Sequence, residues 1–550
     1  MCAVFHFLPS VMPSCLLTIF MILLPVVRAA AERPLNNPFP MGINLTSVCY
    51  WSTENPFLDV FKQSQVFQAQ RRGAPYGEGG ALDLDGKGWV KSLEPGQWAD
   101  TIICREGGHY WGGEYICLYD GNGRIEFDFD AKVKNRQDGR ITLQVSPSPA
   151  GMVLKIVETD PLDPIRNIRL IFSRFEKTFE NLVFQPEFLK RWEGFKTIRF
   201  MDWMGTNNSP VETWADRPLP DQQTQEGERG VALEYMILLA NRLKADPWFC
   251  MPHGASHDYV ANFAAMVKDR LDPWLKVYVE YSNEVWNSSF QQSEYARRMG
   301  LGLGLSEDPF EAGLLYYARR AKEIFQIWED VFGGSERLVR VLAAQSANPW
   351  TSERIVGFED AFKSADALAI APYFGGELGN PETVAEVLSM SLDGVLAKCS
   401  SDIAENRETV VRHAAVAKGH GLDLIAYEGG QHLAGTGGAE NNEALTELFI
   451  AANRDPRMKQ LYLEALEGWK EAGGGTFAIF ASMSRYGKWG SWGLLEDRDQ
   501  DPFRAPKYQA VLEFMGRTSN PILPPILDGP GKATMGLSLL EPMPYMLWFH

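Results

Sequence analysis

The chain has no long run of basic residues, few cysteines and no apolar stretch long enough to look like an ordinary membrane span. Each shortage removes a class of function. With a formal net charge of -17 and no basic tract, electrostatic binding of nucleic acid is excluded as an expectation. Seven cysteines in 550 residues cannot make a disulfide scaffold, and their spacing fits no zinc pattern. Cys2 and Cys15 lie in the leading segment, which leaves Cys49, Cys104, Cys117, Cys250 and Cys399, an odd number. Cys104 and Cys117 are the pair expected to bridge neighbouring strands in an oxidising compartment. No Gly-x-Ser-x-Gly elbow occurs, which argues against a serine esterase. Gly529-Pro-Gly-Lys532 lacks both the upstream glycine and the following hydroxyl residue of a phosphate loop. His253 and His257 have the i, i+4 spacing of a zinc pair, but no glutamate stands between them. Neither a metal nor a cofactor is therefore expected.

What remains is a composition of 45% hydrophobic and 22% charged residues, ordinary for a soluble globular protein able to bury a large core. Residues 1–31 read as a signal peptide: the apolar run Leu16–Val27, interrupted by Pro25, precedes the small residues Ala29-Ala-Ala31. The region before that run carries His6 and neither Lys nor Arg. The body of the protein is accordingly expected outside the cytoplasm, secreted or in the periplasm or at the cell surface, with no span in the mature chain and as a monomer. Sequons stand at Asn44, Asn207 and Asn287 and would matter only in a glycosylating host.

Two textures divide the rest. Residues 76–183 carry short alternating runs, such as Ile141–Val145, Met152–Val157 and Ile168–Phe172, separated by Gly and Pro clusters, which predicts a β-sandwich. Residues 184–516 alternate short apolar strands with long amphipathic helices. One helix face collects Leu314, Tyr317, Ala318, Ala321, Ile324, Phe325 and Trp328, and another Val260, Phe263, Ala264, Val267 and Leu271. Strands are predicted at 197–202, 248–253, 277–283, 338–344, 367–373, 424–428 and 476–481, and Met41–Leu45 supplies an eighth. No Gly-rich fingerprint follows any of them, which disfavours a doubly wound sheet. The expected fold is α/β, a (β/α)8 barrel with an inserted β-sandwich. Residues 32–75 would form the first strand and helix, and 517–550 a Pro-rich C-terminal extension.

Barrel enzymes carry their chemistry at the carboxyl ends of the strands. Lys276-Val-Tyr-Val-Glu-Tyr-Ser-Asn-Glu284 ends the fourth strand in a glutamate, and Asp423-Leu-Ile-Ala-Tyr-Glu428 ends the seventh in another. Two carboxyls facing one mouth are what glycosidic bond hydrolysis requires: one protonates the leaving oxygen, the other attacks the anomeric carbon. Glu284 and Glu428 are the candidate pair.

With these motifs the chain resembles the retaining glycoside hydrolases of the (β/α)8-barrel clan with catalytic glutamates on strands four and seven, a superfamily of cellulase-, mannanase- and arabinofuranosidase-like enzymes. The resemblance covers residues 41–52 and 184–516. It implies that Glu284, after Asn283, is the acid/base and Glu428 the nucleophile, that Arg199 stands beside Glu428 and favours its charged form, that Tyr373 donates to the same carboxylate, and that Asn283 meets a substrate hydroxyl. A tryptophan platform would be Trp489 or Trp492. Trp286 and His257 are further candidate substrate contacts, as residues just past strand ends; Trp203 and Trp350 share that placement. Ala371 stands where the clan often has a histidine, while His432 follows strand seven. The expectation is a secreted retaining enzyme acting on a β-linked polysaccharide or oligosaccharide. The alternative is a non-catalytic carbohydrate-binding or cell-envelope protein on the same scaffold.

Overall fold

The computed structural model describes residues 39–517, except Glu106. The signal segment and most of the Pro-rich extension fall outside the described residues. Eight parallel strands close into a barrel in chain order: Met41–Asn44, Thr197–Arg199, Asp246–Met251, Val277–Tyr281, Leu338–Ala343, Ala367–Ile370, Asp423–Ala426 and Phe477–Ile479. Each overlaps one of the eight stretches expected from the apolar runs, the third and seventh strands starting two and one residues earlier. Val277–Tyr281 is buried at every position, as a parallel strand covered by helices outside and side chains inside must be. Register then sets the polar residues. Asn44 pairs with Arg199 across the first two strands, Arg199 with Trp248, and Cys250 with Glu280. Three polar side chains from three strands thus meet in an otherwise apolar barrel.

The helices obey their sequence signals. Pro309–Phe332 starts with Asp308 accepting from the Glu311 amide, has Pro at its first position, and stops at Gly333 in the left-handed conformation. Its buried face includes Leu314, Tyr317, Ala318, Ala321, Ile324, Phe325 and Trp328. His257–Arg270 is capped by Ser256 and buries Val260, Phe263, Ala264 and Val267. Among the described residues no helix is long and apolar enough to cross a membrane.

Between the first and second barrel strands lie two four-stranded antiparallel sheets. One orders Gln68–Arg71, Gln97–Ile103, Met152–Thr159 and Gly123–Phe129; the other Arg166–Phe172, Gly113–Asp120, Arg140–Val145 and Ala131–Gln137. Ala99, Ile125 and Leu154 of the first share a hydrophobic cluster with Tyr115, Leu143 and Leu170 of the second, so the sheets are two layers of a sandwich.

Two expectations need correction. Among the described residues, 39–75 hold no barrel helix: a 3-10 turn at Val60–Gln63 leads into Gln68–Arg71, already a sandwich strand, and the first described barrel helix is Pro186–Trp192. Nor do Cys104 and Cys117 bridge. Cys117 lies on Gly113–Asp120, whereas Cys104 follows Gln97–Ile103 in the opposite layer, and Cys117 is a buried thiol.

Helix Gln291–Gly302 meets Pro309–Phe332 through Gly300, where an added Cβ would lie 2.1 Å from the Ala312 carbonyl oxygen. Helix propensity alone would make Gly300→Ala stabilising by about 1 kcal/mol. Because backbone cannot step aside, the opposite sign is expected, a loss of about 1–3 kcal/mol, read as a lowered thermal midpoint.

Candidate active site

Arg199 ends the second barrel strand and its side chain is wholly buried. Its Nη1 donates to Glu428 Oε1 at 2.8 Å and to Asn44 Oδ1 at 3.1 Å. Nη2 donates to Glu280 Oε2 and to Asn283 Oδ1, both at 2.9 Å, and Nε donates to Glu280 at 3.2 Å. Every nitrogen of the guanidinium is engaged, as a buried cation requires. The Trp248 and Tyr427 rings lie 5.4 and 5.0 Å from it.

Around this cation stand the two strand-end glutamates. Glu428 Oε2 accepts from the Tyr373 hydroxyl at 2.9 Å. Glu284 Oε1 accepts from the Tyr427 hydroxyl at 2.9 Å, and Oε2 from Asn287 Nδ2 at 2.8 Å. Tyr427 immediately precedes Glu428, so one tyrosine bridges the two carboxyl groups' neighbourhoods. The strand-four turn bends sharply to deliver Glu284: Ser282 and Glu284 have φ of 59° and 42°. Left-handed backbone at two residues with side chains costs of order 1–3 kcal/mol each, a strain found where geometry serves a site.

A cavity of about 480 Å³ opens over this cluster, lined in part by Glu284, Trp286, Asn287, Gln345, Tyr373, Asn406, Tyr427 and His432. His432 is held edge-on to Trp492 and Tyr373, with ring centroids 4.9 and 5.6 Å away. Burial holds its imidazole below the usual range, so it is neutral near pH 7.

Arg199 lies beneath the cavity, bonded to Glu428, the place the resemblance implied. The other candidates are spread more widely. Asn283 accepts from Arg199 and donates to Asn207 Oδ1 at 3.1 Å, so both ends of its amide are engaged within the protein. His257 opens the helix His257–Arg270, is 70% exposed, and faces Glu323 at 3.7 Å on an outer helix. Trp489 is 72% exposed, with Lys488 over its ring, while Trp492 packs on Tyr373. Trp286 and Tyr373 do line the cavity. Trp203 is core, donating to the Thr46 carbonyl. Sequence reasoning missed Asn44, Glu280, Asn287 and Tyr427. A glutamate inside the apolar strand Val277–Tyr281 was a legible signal for Glu280; the other three show none until strands are paired.

The charge balance also differs from expectation. Arg199 was to keep Glu428 ionised, yet burial is the larger influence and pushes its carboxyl up to about 8, with Arg199 pulling the other way and Glu284 adding to the rise. Burial raises Glu280 as well. One cation serves both buried acids.

No protein-family model and no curated protein matches the chain. It is similar to solved structures of glycoside hydrolases. One is the GH51 arabinofuranosidase from Xanthomonas axonopodis pv. citri, at 13% identity and TM-score 0.41, covering 62% of this chain and 67% of that one. Another is a Bacteroidetes-affiliated GH5 cellulase, at 11% and 0.35, covering 60% and 83%. A third is the family 5 mannosidase from Rhizomucor miehei, at 10% and 0.31, covering 60% and 87%. The barrel itself is established by strand pairing.

A carboxyl raised from 4.5 to about 8 in the fold binds a proton that the unfolded chain releases. Its contribution to stability is full below pH 4.5 and is lost as pH rises through about 8. Compared with Glu428→Gln, which cannot titrate, the wild type should therefore lose thermal midpoint steadily across that window. A parallel pair of midpoint-versus-pH curves would show that Arg199 cancels the burial.

Proposed function

We propose that the protein is an exported retaining glycoside hydrolase acting on a β-linked polysaccharide or oligosaccharide. The observation that carries this reading is the pair of strand-end glutamates: Glu284 in the cavity wall, held by Tyr427 and Asn287, and the buried Glu428, held by Arg199 and by the cavity-lining Tyr373. Glu428 attacks the anomeric carbon as the carboxylate and forms a glycosyl ester. The bond to the leaving oxygen breaks as Glu284 gives that oxygen its proton. Glu284 then takes a proton from water, the water oxygen bonds the anomeric carbon, and Glu428 departs as carboxylate. Arg199 and Tyr373 each occupy one oxygen of Glu428, so ester formation through either oxygen displaces a donor that returns when the ester is cleaved.

Export rests on the apolar run Leu16–Val27 and the small residues after it. A polymer or oligomer as substrate fits a polar, sugar-sized cavity with Trp286 in its wall.

The test is sugar release from a panel of β-linked polysaccharides and aryl glycosides by the wild type, Glu284→Gln and Glu428→Gln. Release by the wild type is expected, with loss of about 10²–10⁴-fold in Glu284→Gln on unactivated substrates and no turnover in Glu428→Gln. Silence of the wild type on all substrates, with binding to one, would favour a carbohydrate-binding protein. Attack needs Glu428 ionised and cleavage needs a proton on Glu284, so the pair works with one proton between them, and kcat/KM should fall as pH rises through about 8, where that proton is lost. Activity undiminished well above pH 8 would contradict that assignment.

A further inference from the structure

Glu284 has two oxygens, and their surroundings are not equivalent. Asn287 lies three residues on, and its Oδ1 accepts from the Ser289 amide at 3.0 Å. That bond fixes the side-chain amide, so the group facing Glu284 Oε2 is the NH2, which can only donate. A proton on Oε2 would confront a donor. Oε1 instead faces the Tyr427 hydroxyl, which can turn to donate or accept. Deep burial keeps that phenol protonated across the working range. Its ring is locked, almost wholly buried, between the Trp286 ring and the Arg199 guanidinium.

Building on the glycosidase reading above, we propose that Oε1 is the oxygen of Glu284 that carries and delivers the proton, and that Asn287 and Tyr427 are the positioning residues that make it so. Before cleavage Oε1 bears the hydrogen. As the leaving oxygen takes it, the Tyr427 O–H turns toward Oε1, and the new carboxylate keeps one donor on each oxygen. In the second half, the proton that water loses returns to Oε1. The device also ties acid to nucleophile, because Tyr427 is bonded through the backbone to Glu428.

The experiment compares Tyr427→Phe and Asn287→Ala on two classes of glycoside of the same sugar. One has an alkyl or sugar leaving group, which needs the proton; the other has a dinitrophenyl group, which leaves without it. Both variants should lose kcat/KM on the first class at least tenfold more than on the second, as Glu284→Gln does. Equal losses on both classes, or none on the first, would overturn the assignment. Asn287→Ala keeps the test alive should Tyr427→Phe disturb the fold. Absence of any turnover by the wild type would instead strike the glycosidase reading, so the two failures are distinct.

A separate observation concerns the three sequons, which fold together around this one site. Asn44 Nδ2 donates both hydrogens to backbone carbonyls, of Tyr427 at 3.0 Å and Ile479 at 3.2 Å, inside the closed barrel. Asn207 accepts from Asn283 and from Gln292, and Asn287 holds Glu284 in the cavity wall. A sugar added to an unfolded chain at Asn44 removes one of those hydrogens and has no exit from the barrel. We infer that the chain does not reach this fold in a glycosylating secretory pathway, and belongs to a compartment that leaves these asparagines bare. Expression of the full chain in a eukaryotic secretory host should yield little folded protein, and an inhibitor of N-glycosylation should restore it. Equal yields with and without the inhibitor, or a product glycosylated at Asn44 that melts with the bacterially made protein, would overturn this.

Discussion

One buried positive charge organises the centre of this molecule. Taking a guanidinium fully out of water costs several kcal/mol, recovered only if its hydrogens and its charge are all answered. Arg199 is answered by groups from two barrel strands and two strand-end turns: Asn44, Glu280, Glu428 and Asn283. The answer overshoots in charge. Glu280 and Glu428 are both buried against the one cation, and burial raises both carboxyls. Two buried carboxyls on one cation favour keeping a proton between them. Glu280 is held from below: its Oε2 accepts from Arg199 and from the Trp248 indole at 2.8 Å.

The barrel was legible because each strand is a short apolar run bounded by turn residues, and the period changes from strand to helix are sharp. The two glutamates stood out because a carboxylate at the end of an apolar strand has no reason to be there on burial grounds alone. Arg199 and Tyr373 entered through resemblance, and the structure bonds both to Glu428. What could not be read was anything decided by pairing across strands. Asn44, Tyr427 and Asn287 look unremarkable one by one. Only the register that sets Asn44 opposite Arg199, and the bend that turns Glu284 toward Tyr427, assemble them. The depth of Glu428 was equally hidden, and with it the outcome of the contest between burial and Arg199.

The inserted sandwich bears on the same cluster through the loops it grips. It lies between the first and second barrel strands, after the strand that ends in Asn44 and before the one that ends in Arg199. Trp89 donates to the Asp221 carbonyl, and Gln223 Nε2 donates to Ser64 Oγ at 2.8 Å and to the Gln65 carbonyl at 3.1 Å, which ties the insertion to the loop after the second strand. On the other side His109 meets Asp499 at 3.2 Å and Asp497 at 3.4 Å, and Trp111 stacks under Arg498, all in the loop after the eighth strand. Strands eight, one and two are consecutive around the barrel. The insertion thus clamps the arc on which Asn44 and Arg199 sit, whereas Glu284 and the cavity-lining Asn287, Gln345, Asn406 and His432 come from the opposite arc.

That division has a mechanical reading. A buried ion cluster tolerates little displacement, since opening one of its charge-assisted contacts leaves an unpaired charge in low dielectric. The arc that supplies Arg199 is held by loop–loop bonds and aromatic contacts on both flanks. The arc that supplies Glu284 carries the cavity wall and is tied to the same cation through Glu280, Asn283 and Glu428. Both arcs therefore meet at Arg199: the clamped one supplies the cation, and the one bearing the cavity reaches it through strands four and seven.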